Sequence, residues 1–432
     1  MNNPRQLAFE ALVKTEKEGA YSNIALDFLL SKSDCDTRDK AFVSNLFYGV
    51  IERKLTLDYQ IALYTSKPLN KMKTEVLTAL RLGAYQILFM DKVPSSAAVN
   101  ESVKLVKNNG FSFASGVVNA VLRKIDKNGL VLPSEENKAE FMSVKYSCPQ
   151  WLINKWIKEY GYDCTCEILE HSLGAPATYI RVNNTLISSD DLITLLEREG
   201  VKVISTDVDG CLEITLGGKG VEALESFRKG LFHVQDKACQ LCVKALNPKS
   251  GERIFDLCAA PGGKTYTIAE TMCDEGEVLS FDIHSHRVRL IENGANRLLL
   301  GSVKALEGDA TVYNEALGTA DAVLCDVPCS GFGIISRKPE IKYKNPDEVK
   351  ELPALQLSIL QNAARYVKNG GRLVYSTCTL SKGENEKVCN RFLQSNSEFK
   401  TVASFGDNGY NTLLPQMYNS DGFFIACFER NK

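Results

Sequence analysis

The chain has 432 residues, too many for one hydrophobic core and enough for two or three domains. Its 44% hydrophobic and 24% charged residues exclude a disordered chain or a fibrous repeat, and no apolar run reaches the length of a membrane span. Net charge is −2, yet residues 1–125 hold 17 Lys and Arg against 12 Asp and Glu, an excess that suits a phosphate-facing domain and equally a plain solvated face. The start, Met1-Asn2-Asn3-Pro4-Arg5, does not read as a signal peptide. Fourteen cysteines without a small disulfide scaffold fit a reducing cytoplasm.

Up to about Ile125 the pattern is helical. Leu7, Ala8, Ala11 and Leu12 make one apolar face, Phe42, Leu46 and Val50 a second, and Leu77, Leu80, Ala84 and Leu88 a third. Pro94-Ser95-Ser96 opens a helix, and Val117, Ala120 and Val121 carry a last one to Arg123. The polar stretch from about Ile125 to Glu140 reads as a linker. Then Tyr146 to Gly161 is helical, Tyr179–Asn183 a strand, Ser188–Glu199 a helix, and Val201–Ile204 and Leu212–Leu216 strands, an α+β pattern. Arg181 is a candidate phosphate contact or a surface residue, and His171, His233, His284 and His286 show no partner for metal or acid–base work. The domains expected are 1–126, a linker at 127–144, a small α+β domain at 145–230 and an α/β domain at 231–432.

Next, Arg253-Ile254-Phe255 reads as a buried strand, and Thr265 to Met272 as a helix. Between them Asp256-Leu257-Cys258-Ala259-Ala260-Pro261-Gly262-Gly263-Lys264 places glycines in a loop at a strand's carboxyl end, where open α/β sheets bind ligands. The spacing is not that of a phosphate-cradling loop, which disfavours ATP and GTP. A second strand from Glu277 ends at Asp282, 26 residues beyond Asp256, near the interval at which an acid reaches a ribose diol in βαβ units. Val303–Leu306 leads to Gly308-Asp309, Asp321–Cys325 to Asp326-Val327-Pro328-Cys329-Ser330, and Arg372–Ser376 to Thr377-Cys378-Thr379. In a parallel sheet the ends of neighbouring strands share one edge, so Cys329 and Cys378 face one crevice. Ser336–Lys344, with four cations and Tyr343, reads as a nucleic-acid contact beside this crevice or as an ordinary exposed basic loop. Cys239, Cys242, Cys389 and Cys427 read as buried core, Cys164 and Cys166 as structural, and no metal site is expected. Gln235 and Asp236 read as packing or capping residues.

These motifs, with Gly331, Gly333, Glu384-Asn385-Glu386 and a closing strand at Asp421–Ala426, resemble the S-adenosylmethionine-dependent RNA cytosine-C5 methyltransferases. Asp39-Lys40-Ala41-Phe42, Leu82–Leu88 and Val118–Arg123 resemble a NusB-like domain, and together the whole chain is most similar to the RsmB (Sun/Fmu) family, with Val327 where alanine is usual. The resemblance implies an all-α NusB-like RNA-binding domain, a small α+β domain and a Rossmann-like class I methyltransferase domain. It implies 16S rRNA as partner and its cytosine at position 967 in reference numbering as target. It also implies a cofactor site of Cys258, Ala259, Ala260, Pro261, Gly262, Gly263, Lys264, Asp282, Asp309 and Asp326.

Cytosine C5 is a poor nucleophile until a thiolate adds to C6. By resemblance Cys378 is that nucleophile, Cys329 assists release and Asp326 hydrogen-bonds the base. A free thiol titrates near about 8.5, so such a site is expected to favour the thiolate. In DNA cytosine-C5 methyltransferases the nucleophile belongs to a Pro-Cys pair, here Cys329, whereas the Thr-Cys-Thr setting favours Cys378. A non-catalytic RNA-binding scaffold, or the same chemistry on tRNA, large-subunit rRNA or DNA, stands as the alternative. A cytoplasmic monomer is expected.

Overall fold

The computed structural model describes residues 3–18, 22–218, 220–403 and 409–431, in two compact units that divide after Leu173. The first unit contains ten α-helices among its described residues: Pro4–Glu18, Ser22–Ser31, Thr37–Glu52, Lys54–Ala62, Thr74–Phe89, Ser95–Asn108, Ser115–Asn128, Lys138–Tyr146, Gln150–Tyr160 and Tyr162–His171. The expected apolar faces supply its core, with Leu7, Ala8, Ala11, Leu12, Leu46, Val50, Leu80 and Ala84 buried. At Gly83 an added Cβ would lie 2.4 Å from Leu122, so the absence of a side chain lets helices Thr74–Phe89 and Ser115–Asn128 approach closely. The latter runs on through Asp126-Lys127-Asn128, part of the expected linker, and stops at Gly129 with φ +66°. A solvated last turn ended by a left-handed glycine is polar for the same reasons a linker is. Helix Lys138–Tyr146 follows, its Glu140 amide capped by the Asn137 side chain at 3.3 Å.

The second unit begins with a small antiparallel sheet. Its strands are β1 (Thr178–Val182), β2 (Lys202–Ser205), β3 (Cys211–Thr215) and β4 (Phe232–Val234), in the order β2-β3-β1-β4. Helix Ser189–Arg198, capped by Ser188, buries Leu192 and Leu196 against Ile180, Val182, Leu212 and Phe232. Arg181 is not a surface residue. It lies buried on β1 with Nε 3.7 Å from Glu270, and His233 on β4, expected to be unpartnered, has Nδ1 3.3 Å from the same carboxylate. The basic groups of the small sheet therefore meet a buried acid on the helix that follows the Gly-rich loop.

The larger sheet consists of β5 (Arg253–Asp256), β6 (Glu277–Asp282), β7 (Val303–Glu307), β8 (Ala320–Asp326), β9 (Val367–Thr377), β10 (Phe399–Thr401), β11 (Tyr410–Leu413) and β12 (Phe423–Arg430). Its order is β10-β12-β9-β8-β5-β6-β7, with β11 beside β12. Strands β9-β8-β5-β6-β7 are parallel and β12 is antiparallel to β9. Leu241, Cys242, Ile268 and Ile291 cover one face, and Ile359, Leu360, Val388 and Phe392 the other. Burial on both faces is why the parallel strands read as apolar runs. Strand order reverses between β5 and β8, and the carboxyl ends of both strands open onto that switch point.

Candidate active site

The Gly-rich loop leaves β5 at Asp256 and enters helix Gly263–Thr271. Gly262 has φ +113°, and a Cβ there would meet the Tyr266 ring at 2.3 Å, so conformation and space both require glycine. As the helix N-cap it brings no side chain, and the first-turn amides are left for a ligand. Asp256 is buried beneath the loop, where Thr265 Oγ1 donates to its Oδ2 at 2.8 Å and Ser280 donates to Thr265 at 3.1 Å. Burial raises the Asp256 carboxyl to about 7. The folded chain thus holds this proton up to about pH 7, whereas an unfolded aspartate releases it near about 3.9. Stability is lost as pH rises through that window. Relative to the parent, Asp256→Asn is expected to gain up to about 1.4 kcal/mol per pH unit from roughly pH 4 to 7, then level off. Urea melts across pH measure it, and a difference that stays flat rules out a protonated Asp256.

Asp282 ends β6, buried, accepting from the His284 amide at 3.1 Å and pairing with Arg287 at 3.1 Å. Arg287 also donates to Ala260 O at 3.0 Å, which fastens the Gly-rich loop to the end of β6. Asp309 follows β7 on the surface. The Thr311 hydroxyl and amide donate to it at 2.7 and 2.8 Å and lower its pKa.

Asp326 ends β8. Its Oδ2 accepts from Lys264 Nζ at 2.7 Å and its Oδ1 from Ser376 Oγ at 2.8 Å. Burial opposes the charge on Lys264, but Asp326 opposite overrides it and the ammonium's pKa is raised. The loops after β8 and β9 run side by side, Val327 N donating to Ser376 O at 3.1 Å and Gly333 N to Cys378 O at 2.9 Å. This sets Cys329 Sγ 3.3 Å from Cys378 Sγ. The hydrogen bond to Cys378, then burial, pushes the Cys329 thiol well above its ordinary range. The pair thus combines a sulfur that keeps its proton with a second sulfur at its side.

Two expectations change here. Cys239 is not mere packing, since Lys264 Nζ lies 3.4 Å from its sulfur and burial raises its thiol to about 12. Its spacing from Cys242 on helix Lys237–Leu246 puts both on one face, the only sequence signal for this contact. The basic segment after Cys329 is also largely engaged within the fold. Arg337 pairs with Asp421 at 2.7 Å and Asp236 at 2.9 Å, Lys342 is buried, Lys344 donates to Ser330 O at 2.9 Å, and Lys338 is exposed. Asp236 also caps helix Lys237–Leu246, and Gln235 accepts from Thr267 at 2.7 Å, the expected capping and packing roles.

A helical N-terminal unit followed by this sheet, with a Gly-rich loop and acids at its carboxyl edge, is the architecture of a Rossmann-like methyltransferase with an appended helical domain. Residues 243–429 match the family model described as 16S rRNA methyltransferase RsmB/F, residues 2–127 the NusB family, and residues 148–216 the ferredoxin-like domain of RsmF/B-like methyltransferases. The "Probable ribosomal RNA small subunit methyltransferase B" of Bacillus subtilis (strain 168) is 36% identical, over 99% of this chain and 98% of that protein. The "Ribosomal RNA small subunit methyltransferase B" of Escherichia coli O1:K1 / APEC is 32% identical over 98% of each. The crystal structure of PH0851 superposes with a TM-score of 0.83 at 28% identity, covering 100% of this chain and 99% of that one. NSun6 from Pyrococcus horikoshii with SFG shares the fold over 66% of this chain and 98% of that one, with a TM-score of 0.60 at 23% identity. The chain belongs to the RsmB family of small-subunit rRNA methyltransferases.

Proposed function

We propose that the chain methylates C5 of a cytosine in 16S rRNA, the one at position 967 in reference numbering, with S-adenosylmethionine as donor. The observation that carries this is the pair of thiols 3.3 Å apart at the ends of adjacent parallel strands, beside the Asp326 carboxylate. The residues present fit the cofactor. The uncapped amides after Gly262 suit the carboxylate of the methionine end, held by the loop Cys258–Lys264. Asp282 suits the ribose diol and Asp309 the adenine side. When bound, the cofactor supplies a methyl carbon made electrophilic by a sulfonium.

Asp326 hydrogen-bonds the base and favours its protonated form. Cys378 Sγ then bonds to C6, and electron density passes to C5, which takes the methyl group. C5 then gives its proton to solvent, the electrons of that bond form the C5=C6 double bond, and the Sγ–C6 bond breaks with its electron pair returning to Cys378 as thiolate, the departure that Cys329 serves. A Cys329 that retains its proton beside Cys378 supports this division of labour, because it can donate to a neighbouring thiolate. The enzyme also has to take the cytosine out of any stack, which is easiest in a loop or single strand.

The test is transfer of a labelled methyl group to protein-free 16S rRNA, with tRNA, large-subunit rRNA and DNA as rivals. Label on 16S rRNA alone, at one cytosine, is the expected result. Label on a rival moves the substrate there, and none on any nucleic acid leaves an RNA-binding scaffold.

A further inference from the structure

Between the two thiol loops lies a buried polar network that the chemistry above does not use. Glu384, buried, accepts from the Ser330 amide at 2.8 Å, from Ser330 Oγ at 2.7 Å and from Gln356 Nε2 at 3.1 Å. Ser330 follows Cys329 in the chain. Its hydroxyl has a single proton, given to Glu384, so it accepts from Thr379 Oγ1 at 2.7 Å, and Thr379 follows Cys378. Lys344 holds the Ser330 carbonyl at 2.9 Å, so every polar atom of Ser330 is engaged. Gln356 also holds Pro328 O at 2.9 Å.

Glu384 itself is fixed to the Cys378 side. Its amide donates to Ser381 O at 2.9 Å and its carbonyl accepts from Tyr375 on β9 at 2.5 Å. The neighbouring Asn385 spans Thr377 Oγ1 at 2.6 Å and Thr379 O at 2.9 Å. The backbone of Glu384 is thus anchored to one thiol loop while its carboxylate grips the other. A carboxylate is needed because three donors converge on it, and an amide of equal size turns a donor towards one of them.

We propose that Glu384 is a positioning residue for the release step, setting Cys329 against Cys378 through Ser330. This rests on the reading in which Cys329 serves release. Without the clamp the Cys329 loop is free to move away, and the enzyme stalls on its RNA as it would without the Cys329 thiol.

The full-length chain and its Glu384→Gln variant provide the test, with two readouts. The first is closure of the thiol pair by diamide without RNA. The two thiols lose two protons and two electrons and form an S–S bond, while diamide is reduced to its hydrazine, and mass spectrometry of the Cys329–Cys378 peptides follows the reaction. The second separates the first methyl transfer from later turnovers on 16S rRNA and measures covalent RNA complex on denaturing gels. Glu384→Gln is expected to slow closure and steady turnover by roughly tenfold or more, the scale of one hydrogen bond to a charged group. Covalent complex accumulates, and the first transfer and cofactor binding stay close to the parent's. Ser330→Ala keeps the amide bond to Glu384, so it is expected to show a smaller effect in the same direction, which holds the test open if Glu384→Gln does not fold. Unchanged closure and no excess complex in folded variants overturn the proposal. So does a loss of all steps in proportion to the folded fraction, since that marks a framework residue. Slower closure without excess complex refutes the release role. A parent enzyme that labels no nucleic acid refutes instead the reading on which the proposal rests.

Discussion

Cys378→Ala is expected to lower methyl transfer to 16S rRNA by roughly four orders of magnitude or more, the scale on which enzymes respond to loss of a nucleophile. Without addition at C6 the ring carbon at C5 stays unreactive, and a bound cofactor cannot compensate. Thermal stability should change little, because Cys378 is only partly buried and the substitution removes a single sulfur. Cys329→Ala is expected to behave differently. Its first transfer proceeds, but the Sγ–C6 bond persists and the enzyme travels with the RNA on a denaturing gel. Single-turnover labelling and that gel, run on the same samples, separate the two variants. If Cys329→Ala is silent and Cys378→Ala is trapped, the roles are exchanged and the Pro-Cys sulfur is the nucleophile.

Much of this edge was legible because parallel strands buried on both faces are apolar runs, and each run ends in a residue that breaks it. Ile254-Phe255 ends in Asp256, Val278–Phe281 in Asp282, and Ala322–Cys325 in Asp326. Topology then brings Cys329 and Cys378 together, because β8 and β9 pair in parallel with Asp326 opposite Ser376. The start of β9 was not legible. The expected strand begins at Arg372, but β9 starts at Val367 and takes in the polar, glycine-rich Lys368-Asn369-Gly370-Gly371, where the register shifts between Ala320 and Ala322.

Charges were misread for a different reason. Arg181, Arg337 and Lys342 look like solvent-facing groups, but Lys342 is buried and the two arginines meet acids far along the chain, Arg181 at Glu270 and Arg337 at Asp236 and Asp421. Helices and strands announce themselves by local periodicity, whereas an ion pair between distant segments leaves no such pattern. The clamp at Glu384 was hidden in the same way, since its motif residues were visible but the reach of its carboxylate to Ser330 was not.

Gly333→Ala is expected to produce the largest loss of stability among these changes, about 3 kcal/mol, at the upper end for overfilling a packed site. Gly333 links three segments. Its amide donates to Cys378 O at 2.9 Å, and its carbonyl accepts from Gly422, just before β12, at 2.8 Å. A Cβ at Gly333 would stand 1.9 Å from Gly422 O and 2.9 Å from Cys378 O. Both obstacles are backbone, so no rotamer change relieves the clash. Relief requires moving the Cys378 loop or the entry to β12, and methyl transfer is expected to fall with stability. Gly383→Ala, in the turn after Cys378, is the control. Its Cβ would lie 3.6 Å from Ser381 Oγ, an ordinary contact, and its cost is expected to stay within about 0.5 kcal/mol. Urea midpoints of the three proteins decide the matter, and a Gly333→Ala midpoint equal to the parent's would mean that β12 yields easily. The approach is mutual, since a Cβ on Gly422 would lie 2.9 Å from Gly333 Cα. Two glycines in backbone contact therefore allow the thiol loops to close against the antiparallel edge of the sheet.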